Sequence, residues 1–253
     1  MQRLDGRVAL VSGAGQGLGR AIATRLAAEG ARVAVNDRQP SAQLDQVVEE
    51  TGGIAAVADV SDPDAVNRMV GEVQQALGPI EVLVANHAYM SMLPFVDHDP
   101  GDWWHNVDVN LSGTFFLVRA VLPGMRKLGA GRIVIIASEF GVVGWANASA
   151  YSASKAGLIS LTKTLGRELG PENILVNAIA PGIMDTPQLD VDAEDAGVSP
   201  EEIRRRYAAD SPIGRIGRPE EIAALATFLS TDAAGAFVGQ ILQPNGGTTR
   251  ALA

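Results

Sequence analysis

The 253-residue chain contains no cysteine. This absence excludes disulfides, thiolate metal sites and cysteine nucleophiles, and it is typical of proteins in the reducing cytosol. The chain also has no uninterrupted apolar run long enough to span a membrane, and its start is not a basic segment followed by an apolar one. We therefore expect a cytoplasmic protein with no membrane partner.

Histidine and positive charge are also scarce. The three histidines, His87, His98 and His105, do not form a His-Glu-x-x-His pattern or another ligand spacing, so we expect no metal site. The net charge of −9 and the pI near 4.8 would repel a phosphate backbone, so nucleic acid is not an expected partner. The one dense basic cluster, residues 204–206, lies among acidic residues and is interpreted as a solvated helix face.

No linker, repeat or low-complexity segment divides the sequence. Its hydrophobic content of 47% allows a full core, so residues 1–253 are expected to form a single domain. Short apolar runs alternate with longer helical patterns, and the expected strands are residues 8–11, 32–36, 54–58, 82–85, 133–137, 175–179 and a late run near 239–244. This alternation predicts an α/β fold with a doubly wound parallel sheet and helices on both faces.

A glycine-rich turn follows the first expected strand. Residues 12–19 read Ser-Gly-Ala-Gly-Gln-Gly-Leu-Gly, and a helical pattern occupies residues 20–29. Glycines allow a close backbone approach that a Cβ would block, while the free amides at the start of the next helix attract a pyrophosphate. The spacing differs from the common Gly-x-Gly-x-x-Gly. A tight turn without a ligand is the alternative interpretation.

An acidic residue ends the second expected strand. Asp37 lies eighteen residues after the last glycine of the turn, where its carboxylate can hold the ribose hydroxyls of an adenosine. The same charge would repel the 2′-phosphate of NADP, so Asp37 predicts NAD. Its neighbour Arg38 favours the alternative, because a guanidinium can bind that phosphate.

Tyr151 and Lys155 stand four residues apart in a helical segment, residues 150–169, and Ser138 ends an apolar run thirteen positions before Tyr151. Residues at i and i+4 share one helix face, so a cation can lie beside a phenol. A free phenol has a pKa of about 10, and lowering it to about 7 requires on the order of 4 kcal/mol, a change that a nearby ammonium favours. The pattern predicts a proton-transfer site; a surface tyrosine beside a solvated lysine is the alternative.

Together these residues resemble the short-chain dehydrogenase/reductase family over essentially the whole chain. The family's glycine segment appears as Ser12-Gly13-x-x-x-Gly17-x-Gly19, its Asp-Val pair as Asp59-Val60, and its Pro-Gly segment as Pro181-Gly182. Its active-site residues fall on Asn110, Ser138, Tyr151 and Lys155. The resemblance implies a Rossmann-like fold and these cofactor contacts: Ser12, Gly13, Gln16, Gly17, Leu18, Gly19, Asp37, Asp59, Val60, Asn86, Ala88, Tyr151, Lys155, Pro181, Gly182, Ile183 and Thr186.

One segment departs from the family pattern. The family's Asn-Asn-Ala-Gly reads Ala85-Asn86-His87-Ala88 here, so the first asparagine and the glycine are replaced. Ala88 adds a methyl group near the expected cofactor path. His87 is either a substitute hydrogen-bonding group or a spacer with no chemical role.

The resemblance also implies a mechanism. Hydride passes between the nicotinamide and the substrate carbon while Tyr151 exchanges a proton with the reacting oxygen, to which Ser138 donates a hydrogen bond. Lys155 would lower the pKa of Tyr151 and hold the nicotinamide ribose. Asn110 would hold a water that connects Lys155 to solvent, or would merely cap a helix kink.

Residues beside these positions are candidates for the substrate pocket. They are mostly apolar and comprise Ser138, Glu139, Trp145, Tyr151, Met184 and Gln188, with Met90, Met92 and Leu189 as further candidates. Methionine and tryptophan suit a carbon-rich secondary alcohol or ketone, and Glu139 suits a hydroxyl or a cation. Residues 185–211 are long, polar and acidic, as in a substrate lid, although a solvated insertion has the same composition.

The expected activity is therefore NAD-dependent interconversion of a small or cyclic secondary alcohol and its ketone. The nearest alternative is an NADPH enzyme like the 3-oxoacyl-[acyl-carrier-protein] reductases, and a more distant one is a non-catalytic dinucleotide-sensing protein. Members of the family commonly form dimers or tetramers through the helices that carry Asn110 and Tyr151 and through the C-terminal region. The apolar run 233–242 is expected to be buried.

Overall fold

The computed structural model describes residues 4–249. Within this range seven strands form one parallel sheet: β1 (Val8–Val11), β2 (Arg32–Asp37), β3 (Ile54–Val57), β4 (Ile80–Ala85), β5 (Gly131–Ile136), β6 (Ile174–Ile179) and β7 (Ile241–Leu242). Their order is β3-β2-β1-β4-β5-β6-β7, and every neighbouring pair is parallel. The direction of winding reverses between β1 and β4, where sheets of this kind open a ligand crevice.

Helices cover both faces of the sheet. They are α1 (Gly17–Ala28), α2 (Ala42–Thr51), α3 (Pro63–Leu77), α4 (Pro100–Val107), α5 (Gly113–Leu128), α6 (Phe140–Val143), α7 (Ser149–Leu169), α8 (Gln188–Asp195), α9 (Pro200–Asp210) and α10 (Pro219–Leu229). The predicted doubly wound α/β fold is confirmed. Among residues 4–249, none of the helices combines the length and apolar composition that crossing a bilayer requires.

The two hydrophobic cores follow from strand geometry. In β1, Val8 and Leu10 pack with α3, α5 and α7, whereas Ala9 and Val11 pack with α1, α2 and α10. Successive side chains of a strand point to opposite faces, so an all-apolar strand supplies both cores at once. This explains why the strands read as continuous apolar runs in the sequence.

Several predicted boundaries need correction. β4, β5 and β6 begin one or two residues before the predicted runs, β5 ends at Ile136, and β7 is limited to Ile241–Leu242. Helix α1 begins at Gly17, three residues before the predicted pattern, because glycines of the turn belong to its first turn. The prediction that residues 233–242 are buried is wrong: Ala234 is buried, but the rest of that run is partly or fully exposed because β7 is an edge strand.

Candidate active site

An open cleft lies beyond the carboxyl ends of the strands. Its walls include residues that directly follow β1, β4, β5 and β6, together with the end of β2 and parts of α7 and α8. The space inside it, including its open mouth, is about 1480 Å³. The lining runs without interruption from the glycine turn after β1 to Tyr151 and Trp145, so one cleft joins the two groups of predicted site residues.

Most of the predicted site residues line this one cleft. On the cofactor side these are Gly13, Gln16, Gly17, Leu18, Gly19, Asp37, Asn86, Ala88, Pro181, Gly182, Ile183 and Thr186, and on the other side Ser138, Glu139, Trp145, Tyr151, Lys155, Met184 and Gln188. Four predicted residues, Ser12, Asp59, Val60 and Asn110, stand behind its surface.

The start of α1 offers an uncapped helix end. Gln16 occupies the N-cap position without a side-chain hydrogen bond to the helix, and the first turn carries no acidic residue. The unpaired amides and the positive dipole end therefore face the cleft without a protein anion to neutralise them. This is the arrangement that binds a phosphate group.

Asp37 lies directly beside the glycine turn. A Cβ added at Gly15 would collide with the Asp37 carboxylate, so the glycine leaves the space in which this side chain sits. The other carboxylate oxygen, Oδ1, accepts a hydrogen bond of 2.7 Å from the backbone N–H of Arg38. A ribose site and a pyrophosphate site thus adjoin each other, and these residues fit a nicotinamide dinucleotide.

Asp59 and Val60 are predicted cofactor residues that do not line the cleft. The Ser61 hydroxyl and backbone N–H both donate to Asp59 Oδ1, at 2.7 and 2.9 Å. Burial raises the pKa of Asp59, but these hydrogen bonds outweigh it and hold the pKa below its ordinary value. Val60 is buried.

Ser138, Tyr151 and Lys155 come together as the sequence predicts. Ser138 follows β5, and its hydroxyl lies close enough to the Tyr151 phenol to lower the pKa of that group. One turn further along α7, Lys155 places Nζ 5.4 Å from the centroid of the Tyr151 ring. The Lys155 ammonium is 1% exposed and donates to the carbonyl oxygen of Ile136 at 2.8 Å.

The pKa values of this pair move in the direction opposite to the expected one. Burial raises the pKa of Tyr151 to about 12, although the hydrogen bond with Ser138 works to lower it. Burial also lowers the pKa of Lys155 to about 7. The physical reason is that each charged form loses hydration inside the cleft, and the ammonium is directed to Ile136 rather than to the phenol oxygen.

Asn110 lies in a single π-helical turn, Asp108–Ser112, that joins α4 to α5. Its amide nitrogen donates to the Tyr89 carbonyl at 2.9 Å and to Ser154 Oγ at 3.0 Å, and its amide oxygen accepts from the Tyr89 N–H at 2.8 Å. The side chain therefore ties the segment after β4 to α7. A π-helical turn within a longer helix frequently marks a functional position.

The substrate end of the cleft has an aromatic wall that the sequence did not reveal in full. Phe140 stacks on Trp145 with ring centroids 4.5 Å apart and lies edge-on to Tyr151 at 6.1 Å. Glu139 is buried, and burial raises its pKa while a hydrogen bond from Thr248 works to lower it. Further lining residues that no motif indicated are Pro187, Asp192 and Tyr207.

Residues 244–248 contact two segments that line the cleft. Thr248 Oγ1 donates to Glu139 Oε2 at 2.7 Å, and the N–H of Gly182 donates to the Pro244 carbonyl at 3.4 Å. Residues 244–248 thus support both the segment after β5 and the segment after β6.

The segment 185–211 forms two helices beside the cleft, α8 and α9. Leu189, Ala193 and Ile203 make a small apolar core between them. Arg204 of α9 bonds to Asp185 at 2.8 Å and to Asp190 at 3.3 Å, which fixes the helices to each other. Gln188 of α8 and Tyr207 of α9 line the cleft, so this two-helix unit borders it.

Within residues 4–249, no group of three or more His, Asp or Glu side chains is placed to hold a metal ion.

Known proteins of the same architecture place the chain in a family. A family model described as enoyl-(acyl carrier protein) reductase matches residues 13–249. The chain is 37% identical to a 3-oxoacyl-[acyl-carrier-protein] reductase of Thermotoga maritima, over 97% of this chain and 98% of that protein. It is 38% identical to a cis-4-hydroxycyclohexanecarboxylate dehydrogenase of Sinomonas cyclohexanicum, over 96% of both chains, and 38% identical to a sorbitol dehydrogenase of Cereibacter sphaeroides, over 97% of this chain and 98% of that protein. The chain belongs to the short-chain dehydrogenase/reductase family of NAD(P)-dependent oxidoreductases.

Proposed function

We propose that this protein is an NAD-dependent dehydrogenase that interconverts a small or cyclic, carbon-rich secondary alcohol and its ketone. The observation that carries the proposal is the position of Tyr151. Its phenol lies in one cleft with the Ser138 hydroxyl and the Lys155 ammonium on one side and the uncapped start of α1 on the other.

Asp37 supports NAD rather than NADP. It ends β2 beside the glycine turn, where its carboxylate would accept hydrogen bonds from both hydroxyls of the adenosine ribose. A 2′-phosphate would bring two negative charges against this carboxylate. Arg38 is exposed and next to it, and would weaken the discrimination rather than reverse it.

The residues of the cleft would handle the proton of the reaction. In oxidation, Tyr151 as phenolate takes the proton from the substrate hydroxyl, and the Ser138 hydroxyl donates a hydrogen bond to the same oxygen as its charge develops. In reduction Tyr151 returns that proton. When bound, the nicotinamide dinucleotide supplies or accepts the hydride. Asn110 would contribute by holding α7 against the segment after β4. It would also hold a water molecule that connects Lys155 to solvent.

Lys155 makes the phenolate accessible by electrostatic compensation. Burial disfavours the charged form of each group, with a pKa of about 12 for Tyr151 and about 7 for Lys155. A buried phenolate and a buried ammonium are each unfavourable alone but stabilise each other as a pair. Ionising Tyr151 therefore favours a protonated Lys155.

The walls of the substrate end support a carbon-rich substrate. Trp145 and Phe140 offer a flat apolar surface, and Met184 offers an adaptable one. Glu139 supplies one buried polar group for a second hydroxyl. The name of the Sinomonas relative, which refers to a hydroxycyclohexane acid, agrees with a cyclic alcohol of this kind. The two-helix unit 185–211 would act as the substrate lid.

The second candidate is a 3-oxoacyl-[acyl-carrier-protein] reductase that uses NADPH. Its support is the name of the Thermotoga relative at 37% identity. Asp37 opposes it, and the net charge of −9 is a poor match for an acidic carrier protein. The two candidates differ in their cofactor, so the ratio of kcat/KM for the two cofactors separates them.

The test measures NADH and NADPH formation with a panel of acyclic, cyclic, sugar and hydroxyacyl alcohols. We expect turnover with NAD on one class of secondary alcohol and a loss of about 10²–10⁴-fold in kcat for Tyr151→Phe, which keeps the ring and removes only the hydroxyl. Strong selectivity for NADPH would transfer the assignment to the second candidate. Tight dinucleotide binding without turnover on any class would indicate a sensing protein instead.

A further inference from the structure

His87 is a buried histidine that the proposed mechanism does not use. It follows β4 at the position where the family pattern has alanine, and it lies between the glycine turn and the π-helical turn. A Cβ added at Gly113 would come within 3.1 Å of His87 Nε2, so the glycine that begins α5 leaves the space for the imidazole. The imidazole ring is therefore closely packed against the start of α5.

One side of the imidazole contacts the glycine turn. Nδ1 lies 2.7 Å from Ser12 Oγ. That oxygen also accepts hydrogen bonds from the backbone N–H groups of Asn86 and His87, at 3.0 and 3.3 Å. Its own proton is then free to donate, and Nδ1 is much nearer than the alternative acceptor, the Val84 carbonyl at 3.4 Å. The network therefore assigns Nδ1 as an acceptor and places the ring proton on Nε2.

The other side of the imidazole contacts the turn that carries Asn110. Nε2 lies 3.4 Å from Thr114 Oγ1. Thr114 Oγ1 donates to the Asn110 carbonyl at 2.9 Å, so its lone pairs remain to accept from Nε2. A chain of hydrogen bonds therefore runs in one direction. The Ser12 hydroxyl donates to Nδ1, Nε2–H donates to Thr114 Oγ1, and the Thr114 hydroxyl donates to the Asn110 carbonyl.

The imidazole is held neutral. Burial and the nearby charge of Lys155 lower the pKa of His87 to about 3, against smaller opposing effects from the Val109 backbone and Asp59. A neutral ring keeps one donor and one acceptor nitrogen, which the run of hydrogen bonds requires. A protonated ring would turn Nδ1 into a donor and break the contact with the Ser12 proton.

We propose that His87 is a positioning residue whose neutral, Nε2-protonated imidazole couples the glycine turn, through Ser12, to the π-helical turn of Asn110, through Thr114. The coupling fixes the spacing between the cofactor side and the proton-transfer side of the cleft. This inference rests on the proposed roles of those two sides. The competing interpretation, a spacer with no chemical role, requires no defined tautomer and no link between Ser12 and Thr114.

The first test is on the protein without cofactor and does not depend on its activity. Nitrogen-15 NMR of histidine-labelled full-length chain reports the tautomer and titration of each of the three histidines, and His87→Asn identifies the resonance. We expect only the Nε2-protonated form of His87, unchanged between about pH 8 and about pH 5. An Nδ1-protonated ring, or a ring that titrates near the ordinary value of about 6.5, would overturn the proposal.

The second test separates binding from turnover. Ser12→Ala should raise the KM for the cofactor about tenfold, Thr114→Val should lower kcat about tenfold, and His87→Ala should do both. His87→Asn retains an acceptor near the position of Nδ1, so it should behave as Thr114→Val does. Val73→Ala, a core substitution in α3 far from the cleft, is the control for loss of stability and should leave both constants unchanged.

If His87→Ala matches the control in both constants, the imidazole is a spacer. If neither dinucleotide binds to the wild-type protein, the proposed function fails, and the NMR result still decides the tautomer and hence the coupling.

Discussion

Tyr151 and Lys155 show that the local environment decides what a pair of side chains can do. Both groups are ionisable, and burial disfavours the charged form of each of them in the free protein. The consequence is that Lys155 titrates close to neutral pH. This property is measurable without any substrate.

The free protein should become more stable as the pH rises above neutrality. The pKa of Lys155 is about 7 in the folded protein and 10.5 ordinarily, so between these pH values the unfolded chain holds a proton that the folded chain lacks. Stability then rises with pH, by at most about 1.4 kcal/mol per pH unit. Above about pH 10 the raised pKa of Tyr151 reverses the trend.

Urea unfolding of wild type and Lys155→Met between about pH 7 and about pH 10 measures this effect. The difference in unfolding free energy should grow in favour of wild type as the pH increases. Lys127→Met, which replaces an exposed lysine of α5, is the matched control and should run parallel to wild type. A constant difference for Lys155→Met would contradict the prediction.

The proximity of Tyr151 and Lys155 could be predicted from the sequence because helix geometry alone places i and i+4 together, and Ser138 was indicated by the apolar run before it and by the family resemblance. The direction of their pKa shifts could not, because burial depends on segments distant in the chain. Asn110 is similar: its type and position follow a motif, but its bonds to Tyr89 and Ser154 depend on the packing of three elements. For His87 the sequence left a hydrogen-bonding group and a spacer as alternatives, because its partners Ser12 and Thr114 come from segments distant in the chain.

Helices α8 and α9 form a two-helix unit whose contacts are mainly between the two helices and not with the sheet. Its small apolar core and the bonds from Arg204 to Asp185 and Asp190 connect one helix to the other. Such a unit can move as one body with the chain at its ends as hinges. Of the basic cluster 204–206, Arg204 has this role, while Arg205 and Arg206 pair with Glu202 on the same helix.

Arg204→Ala should loosen the unit and raise the KM for the alcohol several-fold with a smaller change in the KM for the cofactor. The reason is that α8 and α9 carry Gln188 and Tyr207 into the cleft, whereas only the short segment before α8, Thr186 and Pro187, lies against Gly17 of the glycine turn. The measurement is steady-state kinetics with each substrate varied in turn. Arg205→Ala is the matched control, since Arg205 has a 77% exposed side chain and bonds to Glu202 within α9.

If Arg204→Ala raised only the KM for the cofactor, the two-helix unit would affect the cofactor side of the cleft, and the prediction would be wrong.

The polar composition of residues 185–211 was enough to predict a lid segment. Its division into two helices, and the bonds that join them, could not be predicted because they depend on which acidic residues face Arg204. Strand positions were predictable near their centres because apolar runs mark the core. Their ends were not, because the neighbouring strand determines how far the pairing continues.

The surface of the whole protein carries apolar side chains that a monomer leaves in water. Trp104 of α4 is 59% exposed, Phe115 of α5 is 47% exposed and Val143 of α6 is 55% exposed. Large exposed apolar surfaces commonly mark interfaces between proteins. We propose that the helices flanking Asn110, with the region of α6 and α7, join identical chains into a dimer or tetramer.

Sedimentation equilibrium should give two or four times the 26.4 kDa chain mass. Phe115→Glu should shift the mass toward that of a single chain, because a carboxylate at the contact would have to be buried without a partner. Glu72→Gln, a change on an exposed position of α3, is the control and should leave the mass unchanged. A wild-type mass of 26.4 kDa at micromolar concentration would refute the proposal.

The whole fold was predictable to the level of sheet type and winding because seven apolar runs alternate with helices, and few arrangements satisfy that alternation. The interfaces were not, since an exposed apolar residue and a core residue look alike in a sequence. Residues 233–242 illustrate this limit: their apolar composition suggested burial, whereas they form an edge.

The bond from Thr248 to Glu139 joins two residues that are made at different times on the ribosome. The sheet up to β6, both of its cores and the Tyr151 helix precede residue 248 in synthesis. A nascent chain can therefore fold most of its mass before the wall of its reaction chamber is complete. The proposed chemistry at Tyr151 should therefore depend on residues 244–248, which are synthesised after the rest of the described wall.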